Sequence, residues 1–337
     1  MRLFAINLLV AILIFSCSTA QKKESNDDKN LKLLQESIES RDEAFVKGKK
    51  ELENGNAEVA LELLSKSSYS QALFYIGYIQ MQTGKTDEAA STFENCIKKD
   101  ILKAESHYNL GLIYFETQNS PKAVTQMELA LKAEPKHAGT LYFLGNISYM
   151  NSEMDKALNF YKKALKTNPG SKDLWNAVLA VLLSKQDFEK AWTIRENVDL
   201  ANIDNIKNLL IVAEQIGKYA EGIDFIPKNL KSDLGIKELV RTLKVRNGKF
   251  GEALQSAKED LSETKPFVVI DRYKKGKGSH AIILKKDGIA VICSSNPQKP
   301  LELKYENGKV TVTDPEKSAD ESKVSEMLSE ICGGMVE

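Results

Sequence analysis

The stretch Ala104–His137, AESHYNLGLIYFETQNSPKAVTQMELALKAEPKH, carries the reading of the fold. Leu110, Gly111, Tyr114, Ala123, Met127, Ala130 and Pro135 stand at its seventh, eighth, eleventh, twentieth, twenty-fourth, twenty-seventh and thirty-second places. A step of 34 residues forward puts Leu144, Gly145, Ala157, Tyr161, Ala164 and Pro169 in the matching places. The same step backward puts Ile76, Gly77, Ala89, Phe93 and Cys96 there. A period of this length is the mark of stacked helical pairs. Glycine in the eighth place and alanine in the twentieth let two helices approach closely, and the large apolar residues fill the space between them. Pro135 and Pro169 stop one pair before the next begins. Departures occur at His107 in the fourth place, at Gln80 and Ser148 in the eleventh, and at Ile101 where a proline is expected.

This pattern resembles the tetratricopeptide repeat. The resemblance implies a mainly α fold, a right-handed α-α superhelix, with its clearest repeats at 70–103, 104–137 and 138–171. Diverged copies flank them, at about 41–69 (Gly55 to Ala60) and beyond 171 (Trp175, then Gln186 to Ala191), so the array is expected over 31–263. Two further turns, Gly217 to Glu221 and Gly248 to Ala253, have Leu210 and Arg241 where the close-packing glycine should be. In this family the inner face comes mainly from the second, fifth, ninth, twelfth and thirteenth places of each first helix. Those places hold Phe74, Tyr78 and Met81, then Tyr108, Leu112 and Phe115, then Tyr142, Asn146 and Tyr149. The resemblance therefore implies a peptide-binding groove lined by these side chains, with burial by superhelical curvature as the alternative. Members that clamp a terminal carboxylate place lysine and asparagine at the fifth and ninth places; only Asn146 matches, which argues against a receptor for cytosolic chaperone tails.

Residues 1–16 read as a secretory signal: Arg2 precedes an apolar run, Phe4–Phe15, too short for the ~20 residues of a lone membrane span. Ile14-Phe15-Ser16-Cys17 resembles a bacterial lipobox, which implies that Cys17 becomes the acylated first residue. Ordinary secretion with cleavage near Ala20, or an uncleaved anchor, stay open beside it. Residues 17–30 are a polar tether. The expected location is extracytoplasmic, at a membrane, on the periplasmic side, the outer membrane or the cell surface.

At Pro266 the period changes from 3.6 to two. Phe267–Tyr273 reads as a strand, Asp287-Gly288 and Asn307-Gly308 as hairpin turns, and the alternation sets Tyr305 opposite Val310 and Leu303 opposite Val312. Ser318 and Glu321 suggest a capping box opening a helix with Val324, Met327, Leu328, Ile331 and Cys332 on its apolar stripe. Residues 264–337 are thus expected to form a small α+β domain, an antiparallel sheet covered by one helix, folding by itself. The loop Lys274–His280 has the composition to cradle an anion but lacks the context of a phosphate loop, and reads better as a solvated hairpin loop.

Lysine and arginine balance aspartate and glutamate, 47 against 47, so no bulk field selects nucleic acid. With three histidines far apart and no zinc-like cysteine spacing, no metal or cofactor is expected. Cys96 reads as a buried packing thiol; Cys293 and Cys332 either pair or stay as core thiols. His280 with Cys293 is the one nucleophile-base pairing that can be named, and it has no third member, so the chain does not read as an enzyme. The leading functional expectation is a membrane-anchored scaffold that binds envelope proteins or peptides. A receptor for a small molecule, glycan or lipid is the alternative, and a hydrolase in the C-terminal domain the more remote one.

Overall fold

The structure, a computed structural model, describes residues 42–275, 278–293, 296–313, 316–324 and 326–328. The signal, Cys17 and the tether therefore lie outside the described residues. The chain divides into two compact units, the first ending at Val181 and the second starting at Leu182.

Among the described residues the elements of the first unit are all helices: α1 (Glu43–Glu53), α2 (Ala57–Ser65), α3 (Ala72–Gln82), α4 (Thr86–Lys98), α5 (Lys103–Glu116), α6 (Ser120–Ala133), α7 (Ala138–Met150), α8 (Met154–Leu165) and the start of α9 (Lys172–Ser184). Starts are set by side chains: Asp42 accepts from the Phe45 amide, Asn119 from that of Lys122, and His137 from that of Thr140. The period also shows in the backbone. Gly84, Gln118, Ser152 and Gln186, each 34 residues after the last, all have positive φ (78°, 61°, 62° and 55°). Behind each, an amide reaches five residues back, as Asn119 to Tyr114 at 2.7 Å and Glu153 to Ser148 at 2.8 Å. That bond is the Schellman closure, which needs one left-handed residue to turn the first helix into the second.

Packing follows the small residues. Ala89, Ala123 and Ala157 are fully buried, as are Phe93 and Met127, with Tyr161 nearly so. A methyl group on Gly111 would come within 2.8 Å of Met127 Cε, and one on Gly145 would enter the Tyr161 ring. The polar departures are satisfied within the core. His107 Nδ1 lies 2.7 Å from Gln126 Oε1, and Thr92 donates to Gln80 Oε1 at 2.7 Å.

The second unit contains α10 (Phe188–Thr193), α11 (Ile203–Gln215), α12 (Tyr219–Asp224), α13 (Leu234–Arg246) and α14 (Phe250–Asp260). Six strands follow: β1 (Phe267–Lys275), β2 (Gly278–Lys285), β3 (Gly288–Cys293), β4 (Asn296–Glu306), β5 (Lys309–Thr313) and β6 (Glu316–Asp320). The sheet is an antiparallel meander in sequence order. Tyr305 pairs with Val310 and Leu303 with Val312, the register expected from the alternation. Where glycine is lost from the eighth place, Leu210 is buried and the small residue has moved across to Gly222, whose absent Cβ would sit 2.7 Å from Ala213 Cβ.

Two expectations need correction. Ser318 does not cap a helix: it lies in β6 opposite Thr311. Glu321 opens a short 3-10 turn instead, and its carboxylate accepts from the Gly251 amide at 2.9 Å and the Tyr305 hydroxyl at 3.0 Å. Val324, Met327 and Leu328 are buried as the stripe required, while Ile331 and Cys332 lie outside the described residues. The helix-to-strand change falls between Asp260 and Phe267, near Pro266. The sheet does not close a core of its own, however. Val245, Phe250, Ala253, Leu254 and Ala257 of α13 and α14 pack with Val268, Ile282, Val291, Leu303 and Val310 in one apolar cluster. Val324, Met327 and Leu328 join the same cluster.

Candidate functional site

The first helices α3, α5 and α7 carry the expected groove positions, and the structure sorts them by exposure. Phe74, Tyr78 and Leu112 are buried, with 7%, 6% and 8% of their surface accessible, so they belong to the core and not to an open surface. Phase along the helix placed them on the inner face, but their neighbours close over them. Phe74 lies edge-on to Tyr75 at 5.6 Å and against Phe93 at 5.6 Å; the Tyr78 hydroxyl accepts from Gln82 at 2.8 Å. Leu112 packs with Met127 and Leu144.

Tyr108, Phe115, Tyr142, Asn146 and Tyr149 remain half-buried, as does Met81. Four of them are held by specific neighbours. Tyr108 rests on the His137 ring, 5.2 Å between centroids, and Gly139 leaves room for it, since a Cβ there would stand 3.3 Å from its ring. Phe115 meets Phe143 edge-on at 5.1 Å. Tyr142 lies 5.9 Å from Tyr161, whose hydroxyl donates to Asn146 Oδ1 at 2.7 Å. Asn146 thus anchors a core tyrosine while lying on the groove face.

Burial raises the Tyr108 hydroxyl pKa, and the neighbouring Tyr142 and Tyr78 add to the effect. Tyr142 is raised for the same first reason, offset by a bond to Asn146 and reinforced by Asp173. These three tyrosines therefore stand near one another as neutral hydroxyls that donate and accept. Burial depresses His137 to about 4, so it too is neutral at pH 7. Glu105 and Glu116, at the second and thirteenth places of the middle repeat, are raised by burial. The arrangement suits binding an extended chain by ring contact and hydrogen bonds.

In the second unit the structure assembles a charge cluster that sequence reading missed. Arg246 Nη1 lies 2.8 Å from Asp271 Oδ2, its Nε 3.5 Å from Glu214 Oε1, and His280 Nε2 3.5 Å from Asp271 Oδ2. The Asp271 and His280 side chains are fully buried. Burial alone would raise the Asp271 pKa, but His280 and Arg246 outweigh it and hold the carboxyl below its ordinary value. The register shift between Val269 and Asp271 sets Asp271 opposite the buried Ile282, a placement that strict alternation along the strand does not give. His280 pairs in register with Cys293, but Cys293 is disulfide-bonded and offers no thiolate. Cys96 is a free buried thiol, while Cys17 and Cys332 lie outside the described residues. Lys274 and Lys275 end β1 and Gly278–His280 begin β2, with Lys275 opposite Gly278, while Gly276 and Lys277 lie outside the described residues.

Sequence profiles of the tetratricopeptide repeat match residues 71–100 and 108–172. No curated protein sequence matches the chain. Among solved structures, one described as a functional characterisation of Pseudomonas aeruginosa pilF is 16% identical, covers 57% of this chain and 92% of its own, with a TM-score of 0.48. YrrB, described as a tetratricopeptide-repeat protein with an unusual peptide-binding site, is 15% identical, covers 50% and 91%, and has a TM-score of 0.45. A tetratricopeptide repeat protein from Parabacteroides merdae is 17% identical, covers 64% and 90%, and has a TM-score of 0.41. The matched segments coincide with the three repeats read from the 34-residue period, and residues 71–100 and 108–172 of this chain are tetratricopeptide repeats.

Proposed function

We propose that this protein is a membrane-anchored, extracytoplasmic scaffold that holds envelope proteins or peptides in the groove of its repeats. The observation that carries the reading is the row of half-buried rings on consecutive first helices: Tyr108 and Phe115 on α5, Tyr142 and Tyr149 on α7. Rings fixed from behind by His137, Phe143 and Tyr161 lose little freedom on binding, which is what makes aromatic anchors effective. The anchoring half of the proposal rests on Ser16-Cys17 at the end of the apolar run.

The test compares the intact protein with Tyr108→Ala/Tyr142→Ala in recovery of partners from a cell-envelope extract. Recovered proteins that fall away with the double variant, at unchanged melting temperature, support the groove. Unchanged recovery removes these residues from the site. Anchoring is checked separately: Cys17→Ala should abolish incorporation of labelled fatty acid and release the protein from membranes, and label on the variant would sink the lipobox reading.

A second reading, a receptor for a small amphiphile, is favoured by one feature of the second unit. A crevice of about 300 Å³ lies between α13 and β1, with Leu234, Phe267, Lys265 and Arg272 among its lining. Leu234 and Phe267 are more than half exposed, at 57% and 56%, unusual for large apolar side chains. Saturable quenching or shift of a fluorescent fatty acid, lost in Phe267→Ser, would support that reading.

A further inference from the structure

The groove reading does not by itself fix the chemistry of the occupant. From residue 70 to Ala180, the inner-face places hold three acids, Glu105, Glu116 and Asp173, and no lysine or arginine. Among the described residues none of the three carboxylates makes an ion pair. Acids elsewhere in the same unit behave differently. Glu43, Glu62, Asp100 and Glu153 each meet a lysine three or four residues away, at 2.6 to 2.9 Å. A chain with 47 basic residues has thus left this one face without a counter-charge.

Removing a carboxylate from water without a partner is unfavourable, and a cation brought to it recovers that loss. Glu105 is half-buried and its carboxyl pKa is raised by that burial, while the more exposed Glu116 shifts in the same direction for the same reason. Asp173 is close enough to act on the Tyr142 hydroxyl, so this acid and that tyrosine share one surface. The faces of aromatic rings attract ammonium and guanidinium groups. Within this chain Lys49 Nζ already sits 5.3 Å from the Phe45 ring centre and 5.4 Å from that of Tyr75. His137, beside Tyr108, is neutral at pH 7 and brings no opposing positive charge.

We propose that the groove receives an extended segment bearing lysine or arginine, whose cations lie between Glu105, Glu116 and Asp173 and the rings of Tyr108, Tyr142 and Tyr149. This rests on the groove reading above. An acidic segment would set its own carboxylates against three that have no counter-charge, and the like-charge contact rejects it.

Three labelled peptides of equal length, alternating alanine with lysine, serine or glutamate, test this by fluorescence anisotropy with the full chain. The lysine peptide should bind about tenfold tighter than the serine peptide, with the glutamate peptide weakest, and the preference should shrink as salt rises. Glu105→Gln/Glu116→Gln should abolish most of that preference while melting like the wild type, because neither side chain is paired. Equal binding of the three peptides that still falls in Tyr108→Ala/Tyr142→Ala would overturn the charge assignment and leave the groove standing. Lysine-peptide binding indifferent to the tyrosine pair but lost in the glutamine pair would place the acidic site outside the groove and overturn both. Absence of lysine-peptide binding also overturns the proposal.

Discussion

Arg241 on α13 donates from Nε to the carbonyl oxygen of Val269 on β1, at 2.8 Å, while its Nη1 bonds Asp260 Oδ2 at 2.8 Å. β1 is an edge of the meander, and its outward carbonyls have no further strand to bond. Two helix arginines take that role, since Arg246 Nη2 also reaches the Arg272 carbonyl at 3.1 Å. This accounts for a nearly fully buried arginine in the place where a repeat would have its glycine: the helix approaches a strand there, not a partner helix.

Arg241→Met should therefore destabilise the second unit by about 3 kcal/mol or more, because it strands the Asp260 carboxylate and a strand carbonyl together. Lys237, 2.7 Å from Asp260, limits the loss. Arg241→Met/Asp260→Asn should recover part of the stability. Urea unfolding followed by circular dichroism measures both, and a single variant as stable as the wild type would contradict the edge-capping role.

Asp42 makes the first unit acid-sensitive. Its carboxylate accepts from the Phe45 amide at 2.9 Å and the Ser68 amide at 2.8 Å, and also from the Ser67 and Ser68 hydroxyls. The Phe45 bond is the largest cause of a pKa lowered to about 2 from 3.8, though burial opposes it. A depressed carboxyl binds its proton more readily in the unfolded chain. Its stabilisation is thus complete above pH ~4 and is lost as pH falls toward ~2. Asp42→Asn should flatten the melting curve over that window, and carboxyl-carbon titration by NMR checks the pKa directly.

Ser152 has φ 62° in the turn where the equivalent residue of the preceding repeats is Gln118 or Gly84. A side chain there costs roughly 1 kcal/mol, while glycine gives back roughly 0.5 kcal/mol or more of that in unfolded-chain entropy. Ser152→Gly should therefore raise stability slightly, by up to about 0.5 kcal/mol, whereas Gly84→Ser should lower it. Equal and opposite signs failing to appear in the two melting temperatures would show that the turn is not strained.

Because the sheet shares its core with α13 and α14, the fragment 264–337 should not fold alone, and 182–337 should. Amide dispersion in a two-dimensional NMR spectrum distinguishes them. A well-dispersed spectrum from the shorter fragment would show that the helices are accessory to the core.

The repeats were legible because glycine, alanine and proline recur for steric reasons that leave little latitude at Gly111, Ala123 or Pro135. The β4–β5 register was legible for an equally local reason: Asn307 and Gly308 both take positive φ (51° and 78°), and that turn fixes the pairing of Tyr305 with Val310. β6 was not, since Glu316–Asp320 lacks apolar alternation and offers only Ala319 to the apolar cluster. Its Ser318 and Glu321 also mimic a helix start. The groove was half legible. Helical phase identified the face, but whether Tyr78 or Tyr108 stays open depends on Phe93-sized neighbours from other helices, which phase does not specify. The partnership of Asp271 with Arg246 spans 25 residues and a change of secondary structure, beyond any local pattern.

The sequential order of the six strands bears on how the second unit assembles. Each strand finds its partner across a short turn, so pairing can spread from hairpin to hairpin with little loop-closure entropy at any step. The contact that closes a long loop is the one from Glu321 back to the Gly251 amide, 70 residues apart. Joining the end of the meander to the start of α14 is the step with the largest entropic cost. A chain made N-terminus first would complete its repeats early and hold the sheet's apolar face uncovered only until that clasp forms.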